Sequence, residues 1–192
     1  MKNMNEQINE LGLESNLRID EIPKLDLYMD QVIQLFENKF AESKRNEDEK
    51  ILTKTMINNY AKGKLFFPIK NKKYSKDHLL LISLIYQMKG ALSIGDIKVT
   101  LDGINEKVVE DDLDLEAFYQ GYLNLHKKNV VRFYEEINLH AKEVNEEVGD
   151  IGDDNPEYLE QILMISSLAN ISNMYRRAAE KLIDELAVEG KK

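Results

Sequence analysis

Beyond about residue 105 the chain loses every strand signal, and two stretches, 113–148 and 157–188, keep apolar residues at helical steps for far longer than an ordinary globular helix. The segment between them, GDIGDDNP, is a turn by composition. In the first stretch Phe118, Tyr122, Leu125, Val130, Phe133, Ile137, Ala141, Val144 and Val148 keep to one side, with slippage around Lys127-Lys128-Asn129. In the second, Met164, Leu168, Ile171, Tyr175, Ala178 and Leu182 form a stripe, while Ile162, Leu163 and Ile165 add apolar surface on other sides. At ~1.5 Å per residue each helix is roughly 45 to 55 Å long. The economical arrangement is a helical hairpin whose leftover apolar face meets a second copy of the chain. The fold class expected is mainly α, with residues 105–192 forming a long C-terminal helical hairpin that dimerises.

The preceding residues read as shorter pieces. Residues 1–22 are polar with sparse apolar positions (Leu11, Leu13, Leu17, Ile19, Ile22), fit for a loosely docked arm or one short helix. After Pro23, Leu25, Tyr28, Met29, Val32, Ile33, Phe36 and Phe40 follow at three- and four-residue steps, predicting an amphipathic helix. AESKRNEDEK is a solvated turn. A second helix, about 54–62, is capped by Thr53 and stopped by Gly63, the residue best able to take the left-handed C-terminal conformation. In LFFPIKNKKYS, Pro68 bars a helix, and two short strands around the Lys70-Asn71-Lys72 tip fit best, over about 66–74. Ser75 caps a third helix, apolar on most of its circumference, which Gly90 ends. Ser93 caps a last short one carrying Ile94, Ile97 and Leu101. These elements make a compact unit over 23–104.

Charge is distributed unevenly. Residues 1–50 carry a net −5, residues 51–100 carry 9 basic against 2 acidic side chains, and residues 101–192 carry a net −11, within a total of −9. One basic island in an acidic protein is the electrostatic footprint of a polyanion-binding surface. The alternative is that Lys54, Lys62, Lys64, Lys70, Lys72, Lys73, Lys76, Lys89 and Lys98 balance the acidic flanks internally.

Within the island, Thr55, Asn58, Asn59 and Lys62 are spaced to share one face of the second helix, with Ile57, Tyr60 and Ala61 turned inward. Asn can bond N6 and N7 of adenine in the major groove, Thr a thymine methyl or a phosphate, and Lys a phosphate. A helix following another helix and preceding a Lys-tipped hairpin is the order of a winged helix-turn-helix, with the wing's Lys70, Lys72, Lys73 and Tyr74 on the DNA backbone.

The stretch TKTMINNYAKGKLFFPIKNKKYSKDHLLLISLIYQMKGALSIGDIK resembles the DNA-binding domain of MerR-type transcription regulators. Tyr60 matches the second aromatic of that family's recognition helix, Leu65 its turn leucine, Lys72 and Tyr74 the wing's basic residue and tyrosine, and Ser93-Ile94-Gly95-Asp96-Ile97 its final helix signature. Asn58 stands where the family usually has Arg, Asn59 replaces the first aromatic, and the turn before Thr53 is longer than usual. With LDLYMDQVIQLFENKF and LTKTMINNY included, residues 22–101 are more similar still to an uncharacterised bacterial family, domain of unknown function 1836, described as MerR-like. The resemblance implies a winged helix-turn-helix domain with a small two-stranded wing, and a dimer that binds double-stranded DNA.

Other chemistries have little material. The chain has no cysteine, three histidines (His78, His126, His140) and no apolar run long enough to span a membrane, and MKNMNEQINE lacks the features of a secretory signal, so a cytoplasmic protein is expected. Glu136, His140 and Glu143 lack further ligands at metal spacing, so neither metal nor other cofactor is expected. No catalytic residue is expected either: carboxylates are abundant without a distinctive pair, and Ser and Thr sit in caps or stripes without a nearby His. Phe118, Tyr119, Tyr122, Phe133, Tyr134, Tyr158 and Tyr175 leave room for a small-molecule effector pocket among the hairpin aromatics, for an apolar or cationic ligand. The expected function is a dimeric transcription regulator. The alternative is a protein–protein interaction module that keeps the winged-helix scaffold and docks an acidic partner.

Overall fold

The computed structural model describes residues 11–189, so positions 1–10 of the arm lie outside the described residues. The elements are β1 (Leu27–Tyr28), α1 (Met29–Lys39), α2 (Lys54–Lys62), β2 (Lys73–Tyr74), α3 (Lys76–Met88), α4 (Ile94–Val109), α5 (Leu115–Ile151) and α6 (Pro156–Glu189), with single 3-10 turns at Ile19–Glu21 and Ala41–Ser43. The protein is mainly helical with one small antiparallel sheet. No helix among the described residues is long and apolar enough to cross a membrane.

α3 organises the core because every side of it is covered: all residues from His78 to Ile85 are buried. Around it pack Leu17 and Ile22 of the arm, Val32 and Phe36 of α1, Ile57 and Tyr60 of α2, Ile97 and Leu101 of α4, and Leu115 and Tyr119 of α5. A second cluster, Ile137, Val144, Val148 and Met164, joins the distal halves of the two long helices. α6 packs on both α5 and α4. The antiparallel hairpin is pinned across its helices by Asn145–Glu160 and His140–Ser167 hydrogen bonds.

The arm is docked more firmly than its sparse apolar pattern implies. Leu17 is fully buried, the Tyr119 hydroxyl donates to the Leu17 carbonyl at 2.8 Å and contacts Ser83 Oγ at 2.8 Å, and His126 Nε2 bonds the Leu13 carbonyl at 2.8 Å. Gln87 donates to Asn16 Oδ1. At Gly12, φ is +61° and an added Cβ would lie 2.8 Å from the Glu42 carbonyl oxygen, so only glycine lets the arm close on the Ala41–Ser43 turn.

Several local expectations are corrected. Leu25 (80% exposed) and Tyr28 do not join the first amphipathic helix; the chain stays extended through β1, where Leu27 points in and Tyr28 out, and the helix starts at Met29. The basic Lys70–Lys73 turn forms, with Asn71 and Lys72 at φ of 52° and 58° as a type I′ turn requires, but Lys73–Tyr74 pairs with Leu27–Tyr28 rather than with a strand at 66–69. Ile94 and Ala61 are exposed. On α5 the inward residues are Leu115 and Tyr119, whereas Phe118 and Leu125 face out. Counting Tyr119 and His126 as inward makes the stripe run through Lys127-Lys128-Asn129 without slipping.

The long turn between α1 and α2 is held by one carboxylate. Glu37 Oε1 accepts from the Ile51 amide at 2.8 Å and the Leu52 amide at 3.4 Å, and Oε2 accepts from Lys44 Nζ at 2.6 Å. Partial desolvation pushes the Glu37 pKa up, but the hydrogen bonds from Lys44, Ile51 and Leu52 outweigh it and hold it below the ordinary value. α2 then begins with Thr53 Oγ1 accepting from the Met56 amide and ends in a Schellman turn: Leu65 N–H bonds Tyr60 O, and Lys64 N–H bonds Ala61 O. The left-handed residue is Lys64 (φ 56°), not Gly63, whose φ is −72°. A Cβ at Gly63 would lie 2.7 Å from Leu65 Cδ1, so a larger residue there would have to displace the Leu65 side chain.

Glu37→Gln should lower stability by about 2 kcal/mol at pH 7 in urea titrations. Because a depressed carboxylate pKa stabilises above its unfolded value and that stability is lost as pH falls, the gap between wild type and variant should narrow below about pH 4.5. Lys64→Gly and Lys72→Gly should each raise stability by roughly 0.5–1 kcal/mol, since glycine takes a left-handed φ without the Cβ clash; a loss in urea titration would refute the turn assignments.

Candidate nucleic-acid interface

The residues expected to read a duplex divide in the folded protein. Thr55, Asn58, Asn59 and Lys62 are all exposed along α2, and Lys70 and Lys72 are exposed at the hairpin tip. Tyr74 is corrected to the core: it is 1% exposed, edge-on to Phe66 and His78, and its hydroxyl pKa is raised by burial. Lys73 is half-buried, and its ammonium sits 5.2 Å from the centroid of the Tyr28 ring, where cation–π attraction holds it to β1. Lys64, exposed in the turn after α2, belongs with the first group although the helix-face spacing omits it. Its signal in the sequence is its place in the unbroken run of alternate lysines 62 and 64.

What fixes this surface lies behind it. His78, at the third position of α3, accepts from the Ser75 amide through Nδ1 at 3.1 Å, which leaves Nε2–H to donate to the Phe67 carbonyl at 3.1 Å. Burial pushes its pKa down, against the Phe67 hydrogen bond and Asp26, which favour the charged form. The ring packs on Phe66, Phe67 and Tyr74, so one buried imidazole ties the hairpin to the central helix. From the other side Asn105 Nδ2 donates to the Leu65 carbonyl at 3.0 Å, fastening the turn after α2 to α4.

The lysines of the basic island also divide. Lys54 pairs with Asp30 at 2.9 Å, Lys76 with Glu116 at 2.6 Å and Lys98 with Asp102 at 2.8 Å. Lys89 donates to the Ile51 carbonyl and lies over Tyr86, its pKa pushed down by burial. With Lys73 on Tyr28, five of the nine lysines are engaged within the fold, three of them by a carboxylate. Lys62, Lys64, Lys70 and Lys72 have no ion-pair partner among the described residues, and all four belong to the end of α2, the turn after it and the hairpin tip.

Other candidate chemistry takes different forms. No group of three or more His, Asp or Glu that could hold a metal ion occurs among the described residues. His140 has a serine neighbour that the sequence does not announce: Nε2 is 2.5 Å from Ser167 Oγ and Nδ1 is 3.1 Å from Glu143 Oε2. Ser167 lies inside α6, where backbone amides are committed to the helix and offer no oxyanion donor pair, so the trio serves as a clamp between the hairpin helices. A cavity of about 770 Å³ opens between the arm and α5, and Tyr134 is the aromatic residue in its wall, unlike the aromatic-lined pocket expected within the hairpin.

No curated protein and no solved structure gives a significant match to the chain. Residues 17–122 match the family described as Domain of unknown function (DUF1836). That span takes in the arm from Leu17, the elements around α3 and the first turns of α5, which are the parts that build the central core, and the chain belongs to this family.

Proposed function

We propose that the protein is a cytoplasmic DNA-binding transcription regulator that acts as a dimer, with a MerR-like winged helix-turn-helix in which α2 enters the major groove and the 66–74 segment lies on the adjacent backbone. The observation that carries this reading is the placement of unpaired charge: Lys62, Lys64, Lys70 and Lys72 stay uncompensated in a protein of net charge −9. Two of the four, Lys64 and Lys72, sit at left-handed backbone positions that favour glycine. A cation kept where glycine is conformationally better points to work for the charge. The element order supports the same reading, since α1, the long turn and α2 precede a basic tip packed against the next helix.

Apolar surface supports the dimer. In the N-terminal half of α6 the stripe Met164, Leu168 faces α5, but the same stripe continued through Tyr175, Leu182 and Leu186 is 68%, 64% and 48% exposed, and the buried residue there is Ile183 on a neighbouring face. A second copy offers a matching stripe by two-fold symmetry.

In a selection from random duplexes the wild-type protein should enrich a defined site. Lys72→Gly should weaken binding to all duplexes and lower the log-log salt slope by roughly one, or about two with both wings of a dimer engaged, while it stabilises the fold. Asn58→Ala should leave the slope nearly unchanged but cost about 1–3 kcal/mol on the preferred site. If no sequence is enriched and Lys72→Gly leaves weak binding untouched, the interaction-module reading replaces this one; the asparagine at position 58, where MerR-type proteins carry Arg, favours that alternative. Tyr175→Glu with Leu182→Glu should convert dimers to folded monomers in sedimentation, and an unchanged assembly removes α6 from the interface.

A further inference from the structure

We propose that the cavity between the arm and α5 is a binding site for an amphiphilic anion, an aliphatic chain carrying a single carboxylate. Its apolar walls come from Ile19 and Ile22 of the arm and Leu123, Val130 and Val131 of α5, a branched aliphatic set suited to a flexible chain. The volume of about 770 Å³ is that of a small-molecule site. Its walls are set by the hydrogen bonds that hold the arm, from His126 to Leu13 and from Tyr119 to Leu17.

Charge around the cavity selects the head group. Five cations line it against two acids, and three of the cations are answered: Arg18 by Asp20, Lys39 by Glu21 at 2.8 Å and Lys76 by Glu116 at 2.6 Å. Lys24 and Lys127 face the same cavity, both exposed, and have no ion-pair partner among the described residues. Glu14 is the one lining acid not already paired, so two free ammonium groups face one free carboxylate; a neutral apolar ligand would leave that surplus positive charge unanswered, and a cation would add to it. A carboxylate at the end of an aliphatic chain satisfies both surfaces at once. This site does not depend on the DNA reading, and its test uses no DNA.

The test is amide-shift mapping and calorimetry on the full chain with decanoate, decyl phosphate, decanol and decyltrimethylammonium, each below its micelle concentration. Decanoate should bind saturably and shift residues 14–24 and 120–134, with decanol at least tenfold weaker and decyltrimethylammonium silent. Decyl phosphate binding more tightly than decanoate would overturn the carboxylate assignment. Lys24→Ala with Lys127→Ala should reduce decanoate affinity to the decanol level, and Val131→Trp, at a wall position that is 52% exposed, should block both. Equal binding of decanol or decyltrimethylammonium, unchanged affinity in the double-lysine variant, or shifts confined to other residues would overturn the proposal.

Discussion

The hydroxyl of Tyr119 is the point on which the rest of the structure turns. It lies fully buried, 102 residues along the chain from the Leu17 carbonyl and 36 from Ser83, and it bonds to both. Burial pushes its pKa far up, so at any physiological pH it is a neutral donor. An unmade hydrogen bond at such depth costs about 1–3 kcal/mol, so the three segments settle where this hydroxyl reaches both partners. Those two bonds tie α5 to α3 and the arm to α5 at one point. The family match begins at Leu17 and runs just past this tyrosine, to residue 122.

The same logic of satisfied groups explains how the basic surface is presented. His78, Glu37 and Asn105 each reach a backbone group of a segment that has no regular structure to satisfy it: the Phe67 carbonyl, the Ile51 and Leu52 amides, and the Leu65 carbonyl. These three side chains supply hydrogen bonds that no strand ladder provides there. The turn after α2 and the hairpin tip are therefore fixed by buried contacts from behind, and their outward lysines need no partner to hold their backbone in place.

How far this could be read from sequence depended on whether a residue's role was set by its near neighbours. The long helices were legible because periodicity over many turns averages out local exceptions: 113–148 and 157–188 became Leu115–Ile151 and Pro156–Glu189. Thr53 and Ser93 were legible as caps because a cap is satisfied three residues away. Tyr119 and His126 were not, since each looks polar at its tip and its partner lies more than a hundred residues distant. Leu25 and Tyr28 fit a helical spacing, but pairing with Lys73–Tyr74 claimed the chain first. Gly63 had the composition of a left-handed cap, yet the Schellman turn puts the left-handed step one residue later, at Lys64, with Leu65 packed close to Gly63. For the candidate interface, exposure of the α2 face followed from its spacing. Which lysines stay unpaired did not, because Asp30, Glu116 and the Tyr28 ring answer theirs across the fold.

An acidic chain can carry a surface for a polyanion only if its negative charge is kept at a distance. Residues 101–192 hold a net −11, nearly all of it on the hairpin and the turn before it. The hairpin helices pack on α3 and α4, whereas α2 packs on α1. Where the acidic part does reach the island it is consumed locally, as in the Glu116–Lys76 pair at 2.6 Å. With a screening length of about 8 Å at physiological salt, charge spread along helices roughly 50 Å long acts locally rather than as one −11. At the end of α2, in the turn after it and at the Lys70–Lys73 turn, the exposed charges without an ion-pair partner among the described residues are Lys62, Lys64, Lys70 and Lys72. The net charge of the chain describes only how the molecule behaves at long range.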